Sequence, residues 1–423
     1  IDAVNSAYYD FANMRGDVSV AISTDYLEPS AIIEGMMNRS EDYDIFVLDM
    51  QNEAFGALYE RGYMAELKGS EQIDELFKQL YPDVAERLST DGVPVAVPLY
   101  CYGSAFGVNT EALEKAGLTM DDIPTNWCDL LDSLEELHAK LEDTGVALFY
   151  DFYTIRDIRS LLFGVIFEDY IAYMESVDPT MGFNTEVFNE VLAKLDAIDF
   201  AAMGYKEEIN YEEEFNWGRE TMLLFEPYIG CTMGDFYGTY EPVLLSLTPE
   251  IEPALKLTVS AAFINPYSKN YDIALEFLEC AMGNVQEYVL ASLCDIEVEP
   301  LRDRYYAENL QSAQESVAQL TQMLAEAEEA EKQALEESLM YAEQWLVDIE
   351  ENNWEISPKA IEWYRANDDK IHIAQFNVLY SAETQNTAEI SEYIMQYTEQ
   401  EISAEEMLKG IDSKLQMMIL EGN

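Results

Sequence analysis

Tyrosines gather where extended runs give way to turns. Tyr100 and Tyr102 flank Cys101 at the end of VPVAVPLY, just ahead of a glycine, and Tyr228 follows LLFEP. Phe236, Tyr237 and Tyr240 crowd the segment GDFYGTY behind Asp235, and Asp49 closes the apolar run YDIFVLD. An aromatic face offers stacking to the C–H face of a sugar ring or a cation–π contact, while a nearby carboxylate accepts hydrogen bonds. Such a set in a cleft suits a polyhydroxylated or a cationic small molecule. Asp49 lies at the carboxyl end of its strand, where open α/β sheets gather ligands. Taken singly, each tyrosine reads as half-buried core with a wet hydroxyl. Taken as a set, they read as readily as a ligand surface.

Other chemistry finds little support. There is no phosphate-binding GxxxxGK[ST], no GxGxxG after a strand, no GxSxG, no HExxH and no EF-hand loop. GSAFG at Gly103–Gly107 has the wrong spacing for a nucleophile elbow. The two histidines, His138 and His372, exclude a three-histidine zinc site, and the pattern predicts a surface role for His138 and a structural one for His372. Cys101, Cys128, Cys231, Cys280 and Cys294 form no CxxC pair and are read as free buried thiols. No metal or cofactor is expected. With 83 acidic residues against 23 Lys and Arg, the formal charge of −60 argues against nucleic acid and anionic lipid as partners. Paired carboxylates for a glycosidase are available anywhere in so acidic a chain, so none is singled out.

The elements that must position these residues divide at Pro300. All but one of the 13 prolines lie at or before it, and of 20 glycines only Gly410 and Gly422 lie beyond. The first 300 residues therefore read as mixed α/β and the rest as mainly helical. Ile1–Asn13 reads as an amphipathic helix, DVSVAIST as a strand, SAIIEGMMNRS as a helix and YDIFVLDM as a buried parallel strand. VPVAVPLY is extended, and TEALEKAGL and NWCDLLDSLEELHAKLED are helical, a succession that predicts a mostly parallel sheet. Between Ala307 and Glu350, Leu310, Ala313, Val317, Leu320, Leu324 and Ala327 form one heptad seam. Leu335, Leu339, Ala342, Leu346 and Ile349 form another after a slip across EAEKQ. The pattern predicts an antiparallel helical hairpin of architectural role, with one long stuttered helix as the alternative.

In order and spacing these segments resemble the extracellular solute-binding proteins of ABC importers, the maltose-binding-like family 1. SEDYDIFVLD resembles the strand after that family's second helix. GVPVAVPLYCYGSAFGVNTEALEKAGL resembles the strand that carries ligand-facing aromatics and crosses to the second lobe, with an Asn before an Ala-Gly helix end. DDIPTNWCDLLDSLEEL, FNWGRETMLLFEPYIG, FINPYSKNYDIALEFLECAMG and the tail SAEEMLKGIDSKLQMMILE follow in the family's order. The family's first strand precedes its first helix, whereas this sequence starts at that helix, so part of the first-lobe site is expected to fall outside it. The segment Ala307–Glu350, with WEISPKAIEWYRAN, resembles an insertion of some Gram-positive members.

The resemblance implies a two-lobed α/β fold of the type II periplasmic-binding-protein kind, with a helical hairpin insertion and a helical C-terminal region. It implies a first lobe from 1–108 and 260–302, a second lobe from 109–259 and 357–423, and the hairpin at 303–356. Crossings are expected near Val108–Asn109, near Ser260–Phe263 and after Pro300. It nominates Asp49, Tyr100, Tyr102 and Tyr228 as ligand contacts, with Asp235 and Phe236 from the following loop; Trp127 and Trp217 are expected to be core. The implied function is capture of a small solute, a carbohydrate first and a polyamine second, by a monomer that closes like a flytrap. It would be lipid-anchored on the outer face of the membrane and deliver its cargo to an ABC permease without catalysis. A secreted glycoside hydrolase and a pure interaction protein using the hairpin are the competing classes.

Overall fold

The computed structural model describes residues 2–24, 27–142, 144–150, 152–208, 223–234, 239–328, 331–380 and 388–421. The first lobe opens with α1 (Asp2–Met14), which buries Ala3, Ala7 and Phe11 at helical spacing, and α2 (Pro29–Asn38), whose proline sits in the first turn where no amide donor is needed. β1 (Ile45–Asp49) follows, then α3 (Glu53–Glu60) and α4 (Glu71–Gln79), capped by the side chains of Asn52 and Ser70. Next come α5 (Pro82–Arg87), the short hairpin β2 (Ser89–Thr90) and β3 (Val93–Pro94), and β4 (Val97–Tyr102).

The chain then enters the second lobe through β5 (Ser104–Asn109) and α6 (Thr110–Ala116). The buried Asn109 accepts a hydrogen bond from the Ala112 amide, and Gly117 closes the helix in the left-handed conformation; these are the physical roles of the Asn and the Ala-Gly end. α7 (Trp127–Leu141) is capped by Asn126, α8 (Ile155–Val177) by a Thr154–Asp157 capping box, and α9 (Glu186–Asp196) by Thr185. β6 (Phe225–Gly230) and β7 (Tyr240–Val243) flank β5 in an antiparallel three-stranded sheet.

β8 (Leu255–Ile264) returns to the first lobe and is its central strand, pairing antiparallel with β1 and β4. α10 (Tyr271–Met282) and α11 (Glu287–Leu293) cover that sheet. β9 (Leu301–Arg302) leads into α12 (Tyr306–Glu326) and α13 (Lys332–Asn352), which return to β10 (Trp354–Ile356), antiparallel to β9. α14 (Pro358–Arg365) precedes β11 (Ile371–Ile373), which is parallel to β8. α15 (Ala388–Thr398) and α16 (Ala404–Glu421) complete the chain in the second lobe.

Two hydrophobic cores result. One collects Phe11, Phe46, Phe55, Phe263 and Phe277 around β8; the other packs Trp127, Phe163, Phe183, Phe188 and Phe225 between α7, α8, α9 and β6. The chain passes between them repeatedly: it enters the second core in β5, touches the first again at Cys231 and Met233, rejoins the second at Tyr240, and crosses twice more. The first crossing is at Gly103, because Val108 and Asn109 are already inside β5. A Cβ at Gly103 would lie 2.6 Å from the Lys256 carbonyl oxygen and 2.9 Å from Cys231 Sγ, so the crossover admits only glycine. The return to the first lobe lies between Val243 and Leu255, and Ser260–Phe263 is already inside β8. The last falls at Ile373–Ala374, where the two residues belong to different cores. Residues 357–373, expected with the second lobe, pack on the first: Tyr364 donates its hydroxyl to the Ser292 carbonyl, and Arg365 reaches the Ile296 carbonyl.

Other corrections concern the sheets. β1 is antiparallel to β8 and half-buried, and the β8–β11 ladder and two isolated bridges are parallel while every other described pairing is antiparallel. DVSVAIST joins no described ladder, although Val18 and Val20 pack on the first core. The helical hairpin is present. No disulfide joins the described cysteines, of which Cys101, Cys128, Cys231 and Cys294 are buried and Cys280 is half-buried. His138 is half-buried against Tyr205 and does not stand free on the surface.

Candidate solute-binding cleft

β8 reads LKLTVSAAFI. Its alternation sends Leu255, Leu257 and Val259 into the first core and turns Lys256, Thr258 and Ser260 to the other face. Each of these polar residues heads a row across the sheet. Ser260 is opposite Asp49 on β1 and Tyr100 on β4, and its hydroxyl donates to the Asp49 carboxylate. Thr258 is opposite Tyr102, and its Oγ1 accepts from the Gln51 amide. Lys256 is opposite His372 on β11.

A register shift between Pro98 and Tyr100 sets the two tyrosines in these rows. Such bulges re-aim side chains and increase local twist. The Tyr100 and Tyr102 rings lie 6.0 Å apart, tilted by 34°, and present neighbouring faces. Tyr100 is half-buried, and Tyr102 is 40% exposed. Asp49, Tyr100 and Tyr102 are thus brought together on one sheet face.

That face looks at the second lobe. Lys256 Nζ lies 2.7 Å from Asp169 and 3.6 Å from Glu168 on α8. Burial opposes the lysine's charge, but Asp169 and Glu168 outweigh it and hold the ammonium above its ordinary range. Burial pushes the Glu168 carboxyl up against the pull of Lys256. Asp169 also accepts the Trp127 indole N–H at 2.6 Å, which fixes Trp127 in the core as expected. Six residues beyond Asp169 on α8, Glu175 engages His372 Nε2 and accepts from the Gln375 amide at 3.1 Å and Asn377 Nδ2 at 3.0 Å. The two strands of the third row are therefore clasped to one helix of the other lobe.

Tyr228 stands on the second-lobe side. A register shift in the β5–β6 ladder leaves Pro227 and Tyr228 outside the paired residues, and Tyr228 takes φ 65°. Left-handed backbone is uncommon in a bulky residue and gathers at ligand sites and switches. The ring is 44% exposed, and its hydroxyl reaches α8 at Gly164, where a Cβ would meet it at 2.7 Å. Gly164 lies one turn before Glu168, so Tyr228 and the Lys256 clasp share a helix. Asp235, Phe236 and Trp217 lie outside the described residues. Sequence reasoning missed Gln51, Lys256, Thr258, Ser260 and Gly164. The polar alternation inside LKLTVS, and a glycine inside the apolar helix SLLFGVIF, are the signals that carry them.

The face offers aromatic planes, hydroxyls and an acceptor whose carboxylate is oriented by Ser260. This is equipment for holding neutral polar groups.

Residues 11–218 match the model of the family of bacterial extracellular solute-binding proteins. A structure solved in work on xylan utilization by the thermophilic bacterium Caldanaerobius polysaccharolyticus is similar in fold. Its TM-score is 0.56 at 15% identity, over 97% of this chain and 95% of that one. No curated protein sequence matches significantly.

Proposed function

We propose, for a chain that belongs to the bacterial extracellular solute-binding proteins, that it captures a neutral oligosaccharide between its lobes and delivers it to the permease of an ABC importer. The observation that carries this reading is the pair of rows Asp49–Ser260–Tyr100 and Gln51–Thr258–Tyr102 on the face turned to the second lobe. Tyr100 and Tyr102 stack on the C–H faces of successive sugar units. Asp49 and Gln51 exchange hydrogen bonds with their hydroxyls, and Tyr228 meets the ligand from the opposite lobe. A ligand touching both lobes binds the closed form better than the open one, and that difference in affinity drives closure. The closed form is what the permease recognises. The role requires no bond-breaking, and it is exercised by a monomer held by a lipid anchor outside the membrane. The sugar-utilization setting of the similar fold adds a reason to begin with plant-type oligosaccharides.

The test is a thermal-shift and calorimetric screen with xylo-, malto- and gluco-oligosaccharides, polyamines and short peptides. A ligand at a hundredfold its dissociation constant adds about 2.7 kcal/mol of apparent stability. The expected result is a selective shift by one sugar class, weakened by about 1–3 kcal/mol in Tyr100→Ala and Tyr228→Ala. A shift confined to polyamines replaces the cargo, and undiminished sugar affinity in both variants overturns the site.

A further inference from the structure

The hairpin of α12 and α13 holds out more than architecture requires. The two helices pack on each other and, apart from marginal contacts, on no other described element. Of their 42 residues only Ala313, Ala342 and Ile349 are buried. The arm extends about 30 Å at 1.5 Å per residue.

Its root is fixed. The Arg302 guanidinium lies 3.4 Å from the Trp354 ring centroid and 4.4 Å from that of Tyr306, so one cation is held between two aromatic faces. The β9–β10 ladder and the Glu287 amide bonded to Glu355 at 2.9 Å tie this root to the first lobe.

The seams are satisfied between the helices, yet large apolar side chains remain outside them. Tyr341 is 70% exposed, Met340 56%, Met323 45% and Trp345 41%. Tyr341 and Trp345, four residues apart, lie on one flank of α13. Exposed tryptophan and tyrosine beside methionine are the residue types that anchor protein partners.

Charge identifies the occupant. Residues 306–352 contain twelve Asp and Glu and a single cation, Lys332. A second copy of this chain, at −60, is repelled, and so is an anionic bilayer. A cationic segment is attracted, and its Lys and Arg side chains can also lie over the Trp345 and Tyr341 rings.

We propose that the α12–α13 arm is a docking site for a basic, amphipathic helical segment of another protein, gripped through Tyr341 and Trp345. The site lies on the arm and is independent of the solute cleft.

The test uses the full chain and two labelled 18-residue peptides in about 0.15 M salt, near the physiological Debye length of about 8 Å. One alternates Lys and Leu with helical period; the other replaces each Leu by Ser at unchanged charge. Fluorescence anisotropy should show the Lys/Leu peptide binding about tenfold tighter or more. Tyr341→Ser with Trp345→Ser should erase that advantage while leaving the melting midpoint in place. A second variant, with 303–353 replaced by an Asn-Gly turn between the paired Arg302 and Trp354, should behave the same way. Equal binding of the two peptides, or an advantage that survives both variants, overturns the proposal. Sedimentation showing a wild-type dimer lost in the double variant would instead make a second copy the occupant. Vesicle binding lost in that variant would make it a membrane.

Discussion

Gly164 occupies the interior of a 23-residue helix, where glycine costs about 1 kcal/mol relative to alanine. The reason for it is the Tyr228 hydroxyl, which would lie 2.7 Å from an added Cβ. Tyr228 is itself held at φ 65°, so its ring direction depends on a strained backbone and on the room that Gly164 leaves. Gly164→Ala is therefore expected to separate stability from binding. The melting midpoint should stay level or rise with helix propensity, while affinity for the sugar that shifts the wild type falls several-fold as the ring is displaced. Equal affinity at equal or higher stability would remove Tyr228 from the ligand surface. The tyrosines were legible in the sequence because aromatic residues at strand ends are rare enough to notice. Gly164 was not, since its purpose appears only when a ring from β6 arrives beside α8.

At the scale of elements, local chemistry was readable and pairing was not. The caps Asn109 and Asn126 set helix starts within a residue or two, and the heptad slip across EAEKQ fell at the junction of α12 and α13, whereas α8 and its Thr154 cap were not read from the sequence. Strand direction depends on partners far along the chain: YDIFVLD looks like a buried parallel strand until β8 lies antiparallel beside it. The same holds for Lys256, an unremarkable lysine in sequence that proves to join two lobes. Asp169 and Glu168 face it at 2.7 and 3.6 Å with all three side chains largely shielded from solvent. Lys256→Met would leave two carboxylates together without a cation, a loss expected to cost about 3 kcal/mol in chemical unfolding. The pH dependence has a definite sign. Folding holds the ammonium above its ordinary value of 10.5, so the contribution is complete below that pH and is lost only as pH rises through the folded value. The gap between wild type and variant should therefore narrow in strong alkali, and it should also narrow in acid, where the carboxyls left without Lys256 take up protons sooner. A gap that closes in the neutral range would mean that a carboxylate dominates the clasp.

For the whole molecule the decisive quantity is the charge of −60, which makes ligand class readable from salt dependence alone. A neutral oligosaccharide exchanges no net charge with the protein, so its dissociation constant should hardly move between about 0.01 and 0.5 M salt. Over that range the screening length falls from about 30 Å to a few ångströms. A polyamine is drawn in by the whole negative field, and its affinity and association rate should fall steeply over the same interval. The unliganded protein should respond in the opposite sense, because self-repulsion destabilises a compact chain and salt relieves it. Its melting midpoint should rise with salt. Calorimetric titrations at three salt concentrations, each paired with a melt of the free protein, separate the two effects. Flat sugar affinity above a rising baseline stability assigns recognition to the stacking and hydrogen-bonding rows on β8. Affinity that decays with salt assigns it to the field, and the cargo is then a cation whatever its shape.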